Sequence, residues 1–130
     1  MAFNDPIAEL LTKIRNAKDA QHRHVDLSFS KIKIKILDIL KHHGFIENFL
    51  VNEELRKMRV FLRYNKTRES VLHGLKRASS GGLRRYLGYR EIPKVFNGMG
   101  IAILSTPQGV LEGEVARNLK VGGEILCTIW

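Results

Sequence analysis

Apolar residues in this chain repeat at two incompatible periods, and that mixture restricts its fold more than any other feature. Near the start, Ile7, Leu10, Leu11 and Ile14 recur at helical spacing and form one stripe. Asp5-Pro6 precedes the stripe. Asp is a good N-cap, and proline's missing N–H costs nothing at a first helical position. Farther on, Met58, Val60, Leu62 and Tyr64 recur at every second residue, with Arg59, Phe61 and Arg63 between them, which predicts a strand with one covered face. A chain that changes period in this way needs helices packed on a sheet.

The segment SKIKIKILDILKHHG carries both periods. Residues 31–36 alternate as a strand would. However, Ser28 or Ser30 can cap a helix, Ile32, Ile36, Ile39 and Leu40 share a helical face, and Gly44 supplies a stop, so a helix is predicted, with Lys31 and Lys35 one turn apart. Strands are predicted at 25–29 and 45–51, with a turn at 52–54. Beyond Asn65 the pattern becomes mostly β: a strand at 71–79 weakened by Gly74, a flexible turn at 80–82, a short strand at 84–88 and a helical turn at 92–95. An apolar strand at 101–104, a loop at 105–109, a short helix at 111–118 starting near Glu112, a turn at 121–123 and a strand at 124–130 complete it. The expected fold class is α+β in two small lobes. Residues 1–65 form an N-terminal α-β-α-β-β lobe, and residues 66–130 form a mainly antiparallel β lobe with a short helix.

Charge bears on function. The 130 residues hold 22 Lys and Arg against 13 Asp and Glu, a formal net charge of +9. Such an excess repels itself unless a polyanion neutralises it, which favours nucleic acid first and an acidic membrane surface second. The excess is central: between residues 66 and 94, Lys66, Arg68, Lys76, Arg77, Arg84, Arg85, Arg90 and Lys94 oppose only Glu69 and Glu91. A central cluster flanked by apolar segments implies a basic patch on a folded surface rather than a disordered tail. No apolar run approaches the roughly 20 residues of a membrane-spanning helix. The opening MAFNDPIAELL has no basic leader, so secretion is not signalled. Cys127 is the single cysteine, which excludes an intrachain disulfide and a multi-cysteine zinc site and fits a reducing, intracellular setting.

Catalytic and metal chemistry find little support. His22, His24, His42, His43 and His73 form no HExxH pattern and read as surface histidines. Cys127 alternates with Ile125 and Ile129, as a small buried apolar residue does. No paired-carboxylate signature stands out, and Gly81-Gly82 lacks the lysine ending of a phosphate-binding loop. No catalytic residue, metal ligand, cofactor or small-molecule substrate is therefore expected. SSGGLRRYLGYR says more: glycines let backbone approach a polyanion, Arg84 and Arg85 supply bidentate phosphate contacts, and Tyr86 or Tyr89 offers a ring for an unpaired base. Ser105 and Thr106 add two hydroxyls after an apolar strand, suited to 2′-OH groups and base edges, although turn residues commonly use such hydroxyls as caps.

Three segments carry a family resemblance: NDPIAELLTKIRNA at 4–17, GGLRRYLGYREIPKVFNGMGIAILST at 81–106 and GVLEGEVARNLKVGGEILCTIW at 109–130. They resemble the bacterial small-subunit ribosomal protein number eight family, in matching order and spacing from end to end. The resemblance implies a non-enzymatic, two-lobed protein that binds the central domain of small-subunit ribosomal RNA as a primary binder, recognises an irregular helix and helps assemble the platform. It also implies neighbouring small-subunit ribosomal proteins as partners, residence on a cytoplasmic or organellar ribosome, no membrane association and, for some members, translational repression of their own operon.

Carried over by residue, the resemblance makes Ser105 and Thr106 base-contact candidates, Tyr86 a stacking aromatic, and Arg84 and Arg85 phosphate binders. Gly122, Gly123 and Glu124 form an RNA-facing turn. Asp5, Thr12, Arg15, Asn16 and Lys31 form a backbone-contacting set in the N-terminal lobe, and Asp5 reads equally well as an N-cap. Two positions depart from the family pattern. Pro107 stands where a third hydroxyl is common, and Ser80-Gly81-Gly82 lacks a proline common before the arginine segment. The competing class, a non-ribosomal RNA- or DNA-binding or chaperone protein, would be favoured by a helix-turn-helix or zinc motif, and neither is visible.

Overall fold

The computed structural model describes residues 5–80 and 82–130. The chain divides into two compact units, Pro6–His73 and Gly74–Trp130, with Asp5 grouped in the second. Among the described residues no helix is long and apolar enough to cross a membrane.

The first unit runs α1 (Pro6–Asp19), β1 (His24–Ser28), α2 (Lys31–His42), β2 (Ile46–Asn52) and β3 (Lys57–Leu62). Its antiparallel sheet has the order β1-β3-β2. The stripe read from α1 is buried as Ile7, Leu10, Leu11 and Ile14, extended by Ala17. On β3, Met58, Val60 and Leu62 are buried while Lys57 and Arg59 are exposed, the period-two alternation of a sheet covered on one side.

The ambiguous lysine-isoleucine segment is helical, but its buried stripe is rotated from the predicted one. Lys33, Ile36, Leu37 and Leu40 are buried, while Ile32 and Ile39 are only half-buried. The cause is Lys33, only 1% exposed. Its Nζ lies 3.0 Å from Glu9 Oε1 on α1 and donates to Ser28 Oγ at 2.9 Å and to the Ser28 carbonyl at 3.2 Å. The Ser28 hydroxyl in turn donates to Glu9. Ser30 holds the N-cap position with extended backbone and makes no side-chain cap bond. Three elements, α1, β1 and α2, are thus joined through one buried ammonium.

The second unit contains β4 (Leu75–Arg77), β5 (Tyr86–Leu87), β6 (Ile101–Thr106), β7 (Gly109–Glu112), α3 (Gly113–Asn118) and β8 (Gly123–Ile129), with single 3-10 turns at Tyr89–Glu91 and Val95–Gly98. All pairings are antiparallel. β8 pairs with β6 along one edge, and β4 and β5 share the other. Ile92, Ala102, Leu104, Ala116 and Ile125 form a core under α3.

Four predicted elements differ. The strand at 71–79 contracts to β4, because Ser70 and Val71 pair back to Tyr64 and Arg63 at one end and β5 takes the β8 edge beyond Arg77 at the other. The turn at 92–95 is replaced by the two flanking 3-10 turns. The loop at 105–109 is instead a hairpin turn, with Thr106 paired to Gly109. The helix at 111–118 starts two residues later, because Leu111 and Glu112 belong to β7 and the Glu112 carboxylate caps α3 by accepting from the Glu114 and Val115 amides. Gly81, in the predicted flexible turn, lies outside the described residues.

Glu9 is only partly covered. Desolvation pushes its carboxyl up, but the hydrogen bond and charge of Lys33, with Ser28 and Lys13, outweigh it and hold the carboxyl below its ordinary value. Removing Glu9 leaves a buried ammonium without its counter-charge, whereas replacing Lys33 by an apolar chain removes the ammonium itself. Glu9→Ala should therefore cost about 1–3 kcal/mol in urea unfolding, and Lys33→Met less than that. A lowered carboxyl stabilises the fold above the ordinary glutamate range and loses that contribution as pH falls through the lowered value. The gap between wild type and Glu9→Ala should therefore close in acid; a gap that persists unchanged there would refute the ion-pair account.

Candidate functional site

Most of the residues singled out in the second half of the chain meet around one end of β8. Glu124 pairs with Tyr86 on β5 and with Ser105 on β6. Directly opposed residues of antiparallel strands put their side chains on the same face, so Tyr86, Glu124 and Ser105 form one row across three strands. Their sequence neighbours Leu87, Ile125 and Leu104 belong to the core on the opposite face. Each strand thus turns alternate residues to opposite sides at this level.

The close approach depends on two glycines. A Cβ at Gly123 would lie 2.1 Å from the Ser105 carbonyl oxygen, and one at Gly122 would lie 2.3 Å from that of Leu87. Only residues without side chains let the start of β8 seat between β5 and β6.

Within the row the chemistry is uneven. Tyr86 is 68% exposed, with its ring available for stacking. Glu124 is mostly covered, and both its oxygens accept from Arg84 Nη1 at 3.1 Å. One guanidinium nitrogen therefore orients the carboxylate, while Arg84 itself stays exposed and keeps further donors. Arg85 is exposed, and its backbone is fixed on both sides: its amide donates to Ser79 Oγ at 2.8 Å, and its carbonyl accepts from the Ile125 amide. The Ser105 hydroxyl makes no hydrogen bond among the described residues, whereas the Thr106 hydroxyl donates to the Gly109 carbonyl and accepts from the Gln108 amide. Thr106 therefore holds the Pro107-Gln108 turn, which Gly109 closes at φ 112°.

The first-unit candidates lie on two helices. Thr12, Arg15 and Asn16 are neighbours on α1 by helical spacing. Lys31 is exposed on the first turn of α2, two residues before the lysine that bonds α1. Asp5 groups with the second unit, where its carboxylate accepts from Arg77 Nε at 3.3 Å. The Arg84–Glu124 and Asp5–Arg77 pairs escaped sequence reasoning, because partners 40 and 72 residues apart leave no local signal.

The five histidines are exposed, and among the described residues no three His, Cys, Asp or Glu side chains are grouped to hold a metal ion. Burial pushes the Cys127 thiol up to about 12, although the charge of Arg77 opposes the shift, so it is no thiolate nucleophile at neutral pH.

Fold and site together define a basic α+β protein whose second unit presents an aromatic, a hydroxyl and guanidinium groups from a sheet face. The sequence model described as "Ribosomal protein S8" matches residues 5–130. A relative from Chlamydia trachomatis serovar D, named small ribosomal subunit protein uS8, is 57% identical over 98% of this chain and 97% of its own. Proteins of the same name from Chlamydia pneumoniae and Protochlamydia amoebophila are 52% and 47% identical, the first over 98% of this chain and 97% of its own, the second over the whole of both. The chain belongs to the ribosomal protein S8 family, whose members are structural proteins of the small ribosomal subunit and not enzymes.

Gly123→Ala should lower stability by about 1–3 kcal/mol, the cost of forcing atoms into a closed contact. Gly82→Ala, where an added Cβ meets nothing within 4 Å, should stay within about 0.5 kcal/mol. Thermal melts of the two variants compare them, and equal losses would show that close packing is not what Gly123 provides.

Proposed function

We propose that this protein is a primary binder of the central domain of small-subunit ribosomal RNA, acting through the Tyr86–Glu124–Ser105 row, and that it helps assemble the platform of the small subunit beside neighbouring ribosomal proteins. It would work bound to the ribosome in the cytoplasm. The observation that carries this reading is the row itself: an exposed ring, an unengaged hydroxyl and an arginine-oriented carboxylate at one level of a sheet. A-form RNA has a major groove too narrow for side chains, so sequence is read where bases are unpaired or splayed. Tyr86 stacks on such a base, and Ser105 bonds a 2′-OH or a base edge. Glu124 accepts from an exocyclic amine or a hydroxyl. Arg84 and Arg85 contact phosphates, which gives affinity and register but little sequence information.

In the first unit, Thr12, Arg15, Asn16 and Lys31 contact the sugar-phosphate backbone. Asp5 acts through Arg77, and Thr106 keeps the Ser105 backbone in place. Gly122 and Gly123 bring the strands close enough for RNA to meet the row at one level. Repression of the chain's own operon needs no additional chemistry: a messenger that presents the same irregular helix would occupy the same row.

A competition titration at two salt concentrations tests the reading, with a central-domain RNA fragment against a length-matched regular duplex. A preference for the fragment that survives raised salt is expected. Equal binding that collapses with salt would leave only a non-specific basic surface, as in a general nucleic-acid chaperone. Ser105→Ala should lose about 1–2 kcal/mol on the fragment and little on the duplex. Arg85→Ala should weaken both and reduce the salt slope by about one.

A further inference from the structure

The fold divides the central basic cluster. Lys66 and Arg68 lie in the Pro6–His73 unit, and the reading above gives them no role. In that unit Gln21, Arg23, Tyr64 and Arg68 line a cavity of about 270 Å³. Arg59, Arg77, Arg84 and Arg117 each pair with a carboxylate. Arg23 and Arg68 have no carboxylate partner among the described residues, and both are exposed.

The walls of this cavity are fixed. Gln21 Nε2 donates to the Arg68 carbonyl at 3.3 Å, and the Tyr64 hydroxyl donates to the His22 carbonyl at 2.6 Å. These bonds tie the connection after α1 to the turn that follows β3. Asn65 Oδ1 holds that turn by accepting from the Thr67 amide and the Glu69 amide, each at 2.9 Å, and from the Thr67 hydroxyl at 2.8 Å. Gln21 and Arg68 both have left-handed backbone, at φ 57° and 64°, a region residues other than glycine rarely occupy. Asp19 and Glu69 are the nearby acidic groups. They line an adjoining depression with Gln21, Arg68, Lys18 and His73, where Asp19 pairs with Lys18 at 2.7 Å and neither carboxylate pairs with Arg68.

Two arginines that line one cavity and form no ion pair among the described residues suit a tetrahedral oxyanion, because each guanidinium is a planar fork of donors. We propose that the Gln21–Arg23–Tyr64–Arg68 cavity is a phosphate-binding site of the first unit, taking a backbone phosphodiester of bound RNA. The RNA as the source of that phosphate rests on the function proposed above; the phosphate chemistry does not. Arg23 and Arg68 donate to its non-bridging oxygens. Each bound phosphate releases counterions from the RNA, so the site adds affinity and salt dependence without sequence preference.

Two measurements on the full chain separate the site from the source. In the first, inorganic phosphate is titrated while arginine Nε–H signals are followed by NMR, with chloride at matched ionic strength as control. Saturable shifts at Arg23 and Arg68 with phosphate alone are expected. In the second, RNA affinity is measured across salt concentrations for wild type, the double variant Arg23→Ala/Arg68→Ala and the double variant Arg23→Lys/Arg68→Lys. The alanine pair should lose about tenfold at low salt on both the central-domain fragment and the regular duplex, with the log–log salt slope smaller by about one. The lysine pair should recover the slope but only part of the affinity, since charge remains and the planar fork is gone. Phosphate shifts no larger than those with chloride overturn the site. Unchanged RNA affinity and slope in the alanine pair overturn its RNA occupant. If wild type itself shows no preference for the fragment, the proposed function fails while the alanine pair's loss on duplex still upholds this cavity.

Discussion

The second unit depends on how closely β8 approaches its neighbours. That strand is flanked on both edges, and every partner strand but β7 hydrogen-bonds to it directly. Where it begins, Gly122 and Gly123 remove the side chains that would hold β5 and β6 away. This contact sets the register, and the register sets which side chains share a level. Move the strand by one residue and Ile125 would replace Glu124 between Tyr86 and Ser105, because successive residues of a strand face opposite sides. The chemistry of the row therefore follows from backbone packing.

In the first unit a different constraint plays the corresponding part. A lysine buried among isoleucines and leucines is tolerated because Glu9 and Ser28 supply a counter-charge and acceptors. An apolar side chain at that position would pack with fewer directional demands. The ammonium instead requires α1, the end of β1 and the start of α2 to meet with a particular orientation. Ile32 and Ile39 are turned partly outward as a result.

Local periodicity made much of the fold legible. The stripe of α1, the alternation of β3 and the α-β-α-β-β order were readable because each is a property of neighbouring residues. The buried face of α2 departs from the predicted stripe because a lysine, ordinarily solvated, is buried there, and nothing local marks Glu9 as its partner. β7 was missed because it has four residues and ends at Glu112, a carboxylate that signals a helix start and also closes a strand. The candidate residues around Tyr86 and Ser105 could be named by type and resemblance, yet their common level could not. It is fixed by hydrogen bonds between segments far apart in the chain. Arg23 and Arg68 left still less trace, since two arginines 45 positions apart meet only through a turn held by an asparagine.

The place of β8 also governs the order in which this sheet can be assembled. β6, β7 and α3 are consecutive and can find one another with short loop closures. β4 and β5 cannot; their partner lies many residues ahead, and until it arrives they have no edge to join. Non-local pairings of this kind are slow to form. The face bearing Tyr86, Glu124 and Ser105 is consequently absent from any form in which β8 is undocked. A partner that recognises the three together selects the finished unit over its partly folded forms.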